Sequence, residues 1–166
     1  MPKSINKGIA IPVVIASALM LMAPMLASAQ SPHFIRASSG VTNSGSLTCS
    51  FKEAGLGDVG PNVDITCSTQ ASAEYWCINR GENHPQAQNK ETATGDVSKT
   101  GNFPVRNGQT TGTITVSPPP APSDFRCPPG QSLILASVTY TNVQVCDEFE
   151  NCVKLDDQSF TNPKIA

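Results

Sequence analysis

Leu47, Cys49 and Phe51 alternate with Thr48, Ser50 and Lys52, and beyond a glycine-rich stretch Val63, Ile65 and Cys67 alternate with Asp64, Thr66 and Ser68. A period of two sends successive side chains to opposite faces of an extended chain, so both runs predict strands with one buried face. Their spacing predicts a hairpin turning about Asp58. Glu74-Tyr75-Trp76-Cys77-Ile78 is apolar on both parities, which predicts the end of a third, central strand. A long polar loop follows. Phe103–Val105 predicts a short strand, and Thr111–Val116 alternates hydroxyl and aliphatic side chains before the break at Pro118-Pro119-Pro120.

The longest strand signal runs from Ser132 to Cys146. Ile134, Ala136, Val138 and Tyr140 share one parity, whereas Val143 and Val145 share the other, so a bulge near Thr141 and Asn142 is needed to bury both sets. Asp147–Asn151 turns the chain, and Val153 and Leu155 alternate on the return. No segment carries a convincing helical period. The predicted class is all-β, an immunoglobulin-like two-sheet sandwich of about seven or eight antiparallel strands.

Ahead of the strands, Lys3 and Lys7 lead into an apolar run from Ile9 to Met22, and Ala27-Ser28-Ala29 supplies small residues. That order predicts a signal peptide over residues 1–29, with retention as a membrane anchor the alternative. Residues 30–45 are rich in Ser, Gly and Thr and predict a flexible lead-in. The sandwich is expected over 46–156 and a C-terminal tail over 157–166.

All six cysteines lie beyond the predicted leader, which implies three disulfides, an oxidising compartment, and an extracellular, periplasmic or cell-surface location. Register ranks the pairings. In the expected first hairpin Cys49 stands opposite Cys67, with Phe51 opposite Ile65 and Leu47 opposite Thr69. A turn about Phe149 places Cys146 opposite Cys152, and Cys77 and Cys127 remain. A rival pairing joins Cys67 to Cys127 around Trp76, in the cysteine, tryptophan, cysteine order of immunoglobulin domains. No two cysteines show a CxxC spacing and the two histidines, His33 and His84, stand alone in polar stretches, so no zinc site and no cofactor is expected.

Without Lys3 and Lys7 the chain keeps 9 Lys and Arg against 13 Asp and Glu, a formal charge of −4. Its basic residues are scattered, which argues against nucleic acid or anionic lipid as a partner. Charged residues are 14% of the chain, against about 25% in an average soluble protein. Ser, Thr, Asn and Gln therefore carry its solubility.

Candidate chemistry concentrates after Cys77. Tyr75 and Trp76 would offer an aromatic face, and Asn79, Arg80, Asn83 and His84 directed hydrogen bonds, the combination of a sugar or peptide site. Against this, the amides would satisfy the loop's own backbone and Trp76 would be core. Asp147-Glu148-Phe149-Glu150-Asn151 gathers oxygen ligands suited to calcium or, equally, solvated hairpin charges. Pro118–Pro122 reads as a polyproline ligand or a crossover between sheets. Glu74, Glu82 and Glu91 would supply paired carboxylates for a hydrolase, but the chain beyond the leader holds no GxSxG or HExxH motif.

The run Cys-x-Asn-x-Gly-x-Asn-x-Pro-x-Ala-Gln-Asn from Cys77 to Asn89, with Ala54-Gly55-Leu56-Gly57 before it and Phe103-Pro104-Val105-Arg106-Asn107-Gly108 after it, resembles a family of small secreted microbial β-rich proteins of unassigned function. Glu82 departs from its pattern, standing where a second glycine is expected. The resemblance implies secretion and a β-rich fold and supplies no catalytic residue. The function expected is that of a non-catalytic extracellular protein binding another protein or a glycan, or associated with the cell surface. A secreted inhibitor of an extracellular enzyme and a small hydrolase are the alternatives.

Overall fold

The computed structural model describes residues 31–57, 59–79 and 89–165. The predicted leader, Asp58 and the loop positions Arg80, Asn83 and His84 lie outside the described residues. Eight strands follow in order: β1 (His33–Val41), β2 (Leu47–Ala54), β3 (Asn62–Asn79), β4 (Lys90–Pro104), β5 (Gln109–Val116), β6 (Gln131–Asp147), β7 (Cys152–Lys154) and β8 (Gln158–Thr161). They form two antiparallel sheets, β1-β2-β5 and β4-β3-β6-β7, with β8 also pairing β6. The second and fifth strands share one sheet and the third and sixth the other. This is the immunoglobulin-like sandwich, with the fourth strand moved to the edge of the opposite sheet.

Alternation explains which faces meet. Leu47, Cys49 and Phe51 of β2 and Ile114 and Val116 of β5 turn inward from the smaller sheet. Val63, Ile65, Cys67, Ala71 and Ala73 of β3 meet them from the larger sheet, with Val138, Tyr140, Val143 and Val145 of β6. Burying these faces removes apolar area from water, the main driving force of the fold. The expected bulge is present: Ser68 pairs Gln144 but Gln70 pairs Thr141, leaving an extra residue on β6 beside Asn142, whose φ is 54°. It returns Val143 and Val145 to the core face. Tyr140 is wholly buried, and its hydroxyl donates to the Gly45 carbonyl at 2.7 Å.

Four expectations are corrected. β2 and β3 do not form a hairpin, because β3 enters the facing sheet. Gly55, Gly57 and Gly60 all have positive φ and carry the chain over the end of the sandwich, where buried Leu56 donates its N–H to the Gly108 carbonyl at 3.1 Å. Glu74–Ile78 is no separate third strand but the end of the 18-residue β3. β4 extends over 15 residues where only its last portion carried a signal, since this edge strand turns just two large apolar side chains, Val97 and Phe103, against the core and so shows no sustained alternation. Finally, the supposed lead-in and tail contain β1 and β8. They hold each other: Ser39 Oγ donates to the Asp156 carbonyl at 2.6 Å and Gln158 Nε2 donates to Ser39 Oγ at 3.0 Å.

The bridges are Cys49–Cys67, Cys77–Cys127 and Cys146–Cys152, so the rival Cys67–Cys127 pairing is excluded. Cys146 and Cys152 are direct cross-strand partners. Cys49–Cys67 instead pins the two sheets together through the core, with Cα atoms 6.2 Å apart. Period-two alternation points both cysteines inward in either arrangement, which is why the pairing was legible and its geometry was not. No described helix is long and apolar enough to cross a membrane.

Candidate functional site

β3 and β6 continue past Tyr140 and its Gly45 anchor, and beyond that point the Pro-rich segment covers the inner face of the larger sheet. Tyr75 Oη donates to the Pro119 carbonyl at 2.7 Å, and Cys77 is bonded to Cys127. Pro119 is buried and Pro120 exposed, so this stretch is a crossover that packs on the sheet through Pro119. Burial raises the Tyr75 phenol pKa above its ordinary value.

Trp76, the next residue, points to the opposite face of the strand. Its register neighbours are Ile134 on β6 and Lys90 on β4, and the Lys90 ammonium lies 3.8 Å from the ring centroid, a cation–π contact. Tyr75 and Trp76 therefore do not build a common aromatic face. Asn79 is exposed at the end of β3. Of the candidate carboxylates, Glu74 is outward and half-buried opposite Thr92. Glu91 stands opposite Tyr75 with the other parity, so the two cannot flank one bond. His33 donates Nδ1–H to the Ser31 carbonyl at 2.8 Å.

The acidic turn is closed on itself. Asp147 Oδ1 accepts from the Phe149 and Asn151 amides at 2.9 and 2.8 Å, and Oδ2 accepts from Asn151 Nδ2 at 2.7 Å. These bonds commit Asp147 to holding the turn, while Glu148 and Glu150 stand exposed. Among the described residues no group of three or more His, Cys, Asp or Glu is placed to hold a metal.

A buried acid went unread in the sequence. Glu53 continues the inward series Leu47, Cys49, Phe51, is 0% exposed, and neither of its oxygens has a hydrogen-bond partner. Burial, then the neighbouring Asp147 carboxyl, then the Glu148 charge push its pKa from 4.5 up to about 8. Burial comes first because the side chain is wholly enclosed, and a protonated Glu53 is the form that can donate toward Asp147. The signal was available as an acid at the fourth inward position of β2.

The outer face of the larger sheet is the other feature that needed three dimensions. Register aligns its side chains in rows across β4, β3, β6 and β8. One row is Thr94, Ser72, Thr139, Ser159; the next is Thr92, Glu74, Ser137, Thr161; Trp76 and Ile134 border them. On the far side the rows satisfy themselves, through Thr66–Thr100 at 2.7 Å, Asn102 to Asp64 at 2.6 Å, Asn142 to Gln70 at 3.0 Å and Gln144 to Ser68 at 3.2 Å. Two adjoining depressions of about 350 Å³ each lie on this face and share Gln70 and Asp96. In comparisons with known proteins, no family model, no curated protein and no solved structure matches this chain.

Proposed function

We propose that this protein is exported and works outside the cytoplasm as a non-catalytic binding protein or a component of the cell surface. The location is supported by three bridges, with no free cysteine, in a chain that begins with a leader-like segment. The observation that carries the binding role is the pair of outward polar rows on a rigid five-stranded sheet, which supplies ordered hydrogen-bonding groups with no internal use. A catalytic role draws less support. The one carboxyl with a strongly raised pKa, Glu53, is enclosed beyond the reach of a substrate, and Glu74 and Glu91 point to opposite sides.

Two measurements test this. Intact mass of natively produced protein should lack Met1–Ala29 and show three bridges; a retained Met1 or free thiols would count against export. Ser72→Arg, which places a long cation in the middle of the outer face, should abolish attachment to the envelope or extracellular polymer of the producing cell without moving the thermal midpoint. Undiminished attachment would remove the face from the account.

A further inference from the structure

We infer that the partner of the outer face is a neutral polysaccharide, lying along the two rows that contain Ser72 and Glu74. The inference rests on the reading of that face as the contact surface and adds the chemistry of what it contacts. The side chains of Thr94, Ser72, Thr139 and Ser159 have no hydrogen-bond partner among the described residues, and neither do those of Thr92, Glu74, Ser137 and Thr161, while the rows beyond Gln70 are paired internally. Each hydroxyl both donates and accepts. Strands hold them on a grid of about 4.8 Å across the sheet and about 6.7 Å along it. Short side chains on a rigid sheet lose little freedom when bound.

The charge pattern selects the partner. Glu74 is the only charged residue in the two rows, with Lys90 over Trp76 at one border and Asp96 at the other, so a polyanion meets one cation against two acids and a polycation meets two acids offset by a lysine. A protein partner needs aromatic or arginine anchors in a dry centre, which these rows lack. A polyol matches them: sugar hydroxyls donate and accept in turn, and the Glu74 carboxylate accepts from two neighbouring hydroxyls at once. The depression of about 350 Å³ between Ser72, Thr94, Asp96 and Thr139 gives one sugar ring a seat, with the Asp96 carboxylate as a further acceptor for its hydroxyls. Ile134, half-buried beside Trp76, adds an apolar border to which the C–H face of a ring can lie close.

The test uses the mature chain with its bridges intact, incubated with insoluble cellulose, chitin and β-1,3-glucan, and with polygalacturonate and heparin as charged polymers. Retention on at least one neutral polymer is expected, unchanged by high salt. It should weaken about tenfold in the double variant Thr94→Ala/Thr139→Ala and again in Glu74→Ala, whereas Thr100→Ala, in a self-paired row, should bind as the parent. Thermal midpoints establish that the variants fold. Salt-sensitive retention on a charged polymer that the double variant abolishes would keep the face as the contact surface and overturn the neutral polysaccharide. Neutral-polymer retention indifferent to all three variants would overturn both. No retention on any polymer would overturn the polysaccharide.

Discussion

Glu53 of β2 and Asp147 of β6 bring two carboxyl groups together inside the sandwich although they belong to facing sheets. Asp147 is committed to the β6–β7 turn through three hydrogen bonds. Glu53, with a pKa near 8, remains the protonated partner at neutral pH.

A carboxyl whose folded pKa lies above its unfolded value contributes stability that is complete below the unfolded pKa and is lost as pH rises through the folded one. For Glu53 that window runs from 4.5 to about 8. Urea unfolding should therefore show a parent protein that weakens by a few kcal/mol between about pH 5 and about pH 9, at about 1.4 kcal/mol per pKa unit. Glu53→Gln, uncharged throughout, should lose that dependence and exceed the parent at the alkaline end. A parent with the same midpoint at both pH values would refute the enclosed acid.

Replacing Cys77 and Cys127 by Ala opens a loop of 50 residues, worth about 4 kcal/mol in the chain-entropy account. The same change at Cys49 and Cys67, separated by 18, should cost about 3 kcal/mol. The two also differ in kind. Only loss of Cys77–Cys127 should make limited proteolysis begin in the segment 117–130, because the Tyr75 hydrogen bond and the packing of Pro119 then hold it without a covalent tie. First cleavage elsewhere would show that the segment does not depend on the bridge.

Truncation after Asp156 removes β8 and with it Phe160, which packs against the core, together with the bonds from Asn162 N to the Ala136 carbonyl at 2.8 Å and from Asn162 Nδ2 to the Leu135 carbonyl at 2.9 Å. Burial of one Phe side chain is worth about 2 kcal/mol before those bonds are counted. The truncated protein should melt several degrees lower, and an unchanged midpoint would restore these residues to the status of a tail.

Phe103 stands edge-on to Phe51, with centroids 4.9 Å apart, and closes the sandwich edge over Gly112. A Cβ added at Gly112 would meet the Phe103 ring Cε1. Gly112→Ala should therefore expel the ring and destabilise the fold by about 1–3 kcal/mol. Gly60, whose added Cβ meets nothing within 4 Å, is a control only for space, since its φ of 119° strains any side chain.

Inward faces and the β6 bulge were readable because each depends on parity, and parity is local: Val138 and Val143 cannot share a face without an extra residue between them. The Glu53 acid was equally readable, as the next inward position after Phe51. β1, β4 and β8 were not, because edge strands gain their order from hydrogen bonds to a neighbour and carry little apolar pattern of their own. Ser39 and Gln158 look like ordinary loop residues until the fold sets them side by side.

The amino-acid order thus specified an all-β chain, its inward faces and six cysteines ready to pair, since alternation acts over neighbouring residues, and it ranked the three partnerships without fixing them. Whether β2 lies beside β3 or across from it, and which hydroxyls from β4, β3, β6 and β8 stand in one row, was decided only by packing. Alternation tells a side chain to be buried without naming the sheet that buries it, and a row across four strands exists only once long-range register is set.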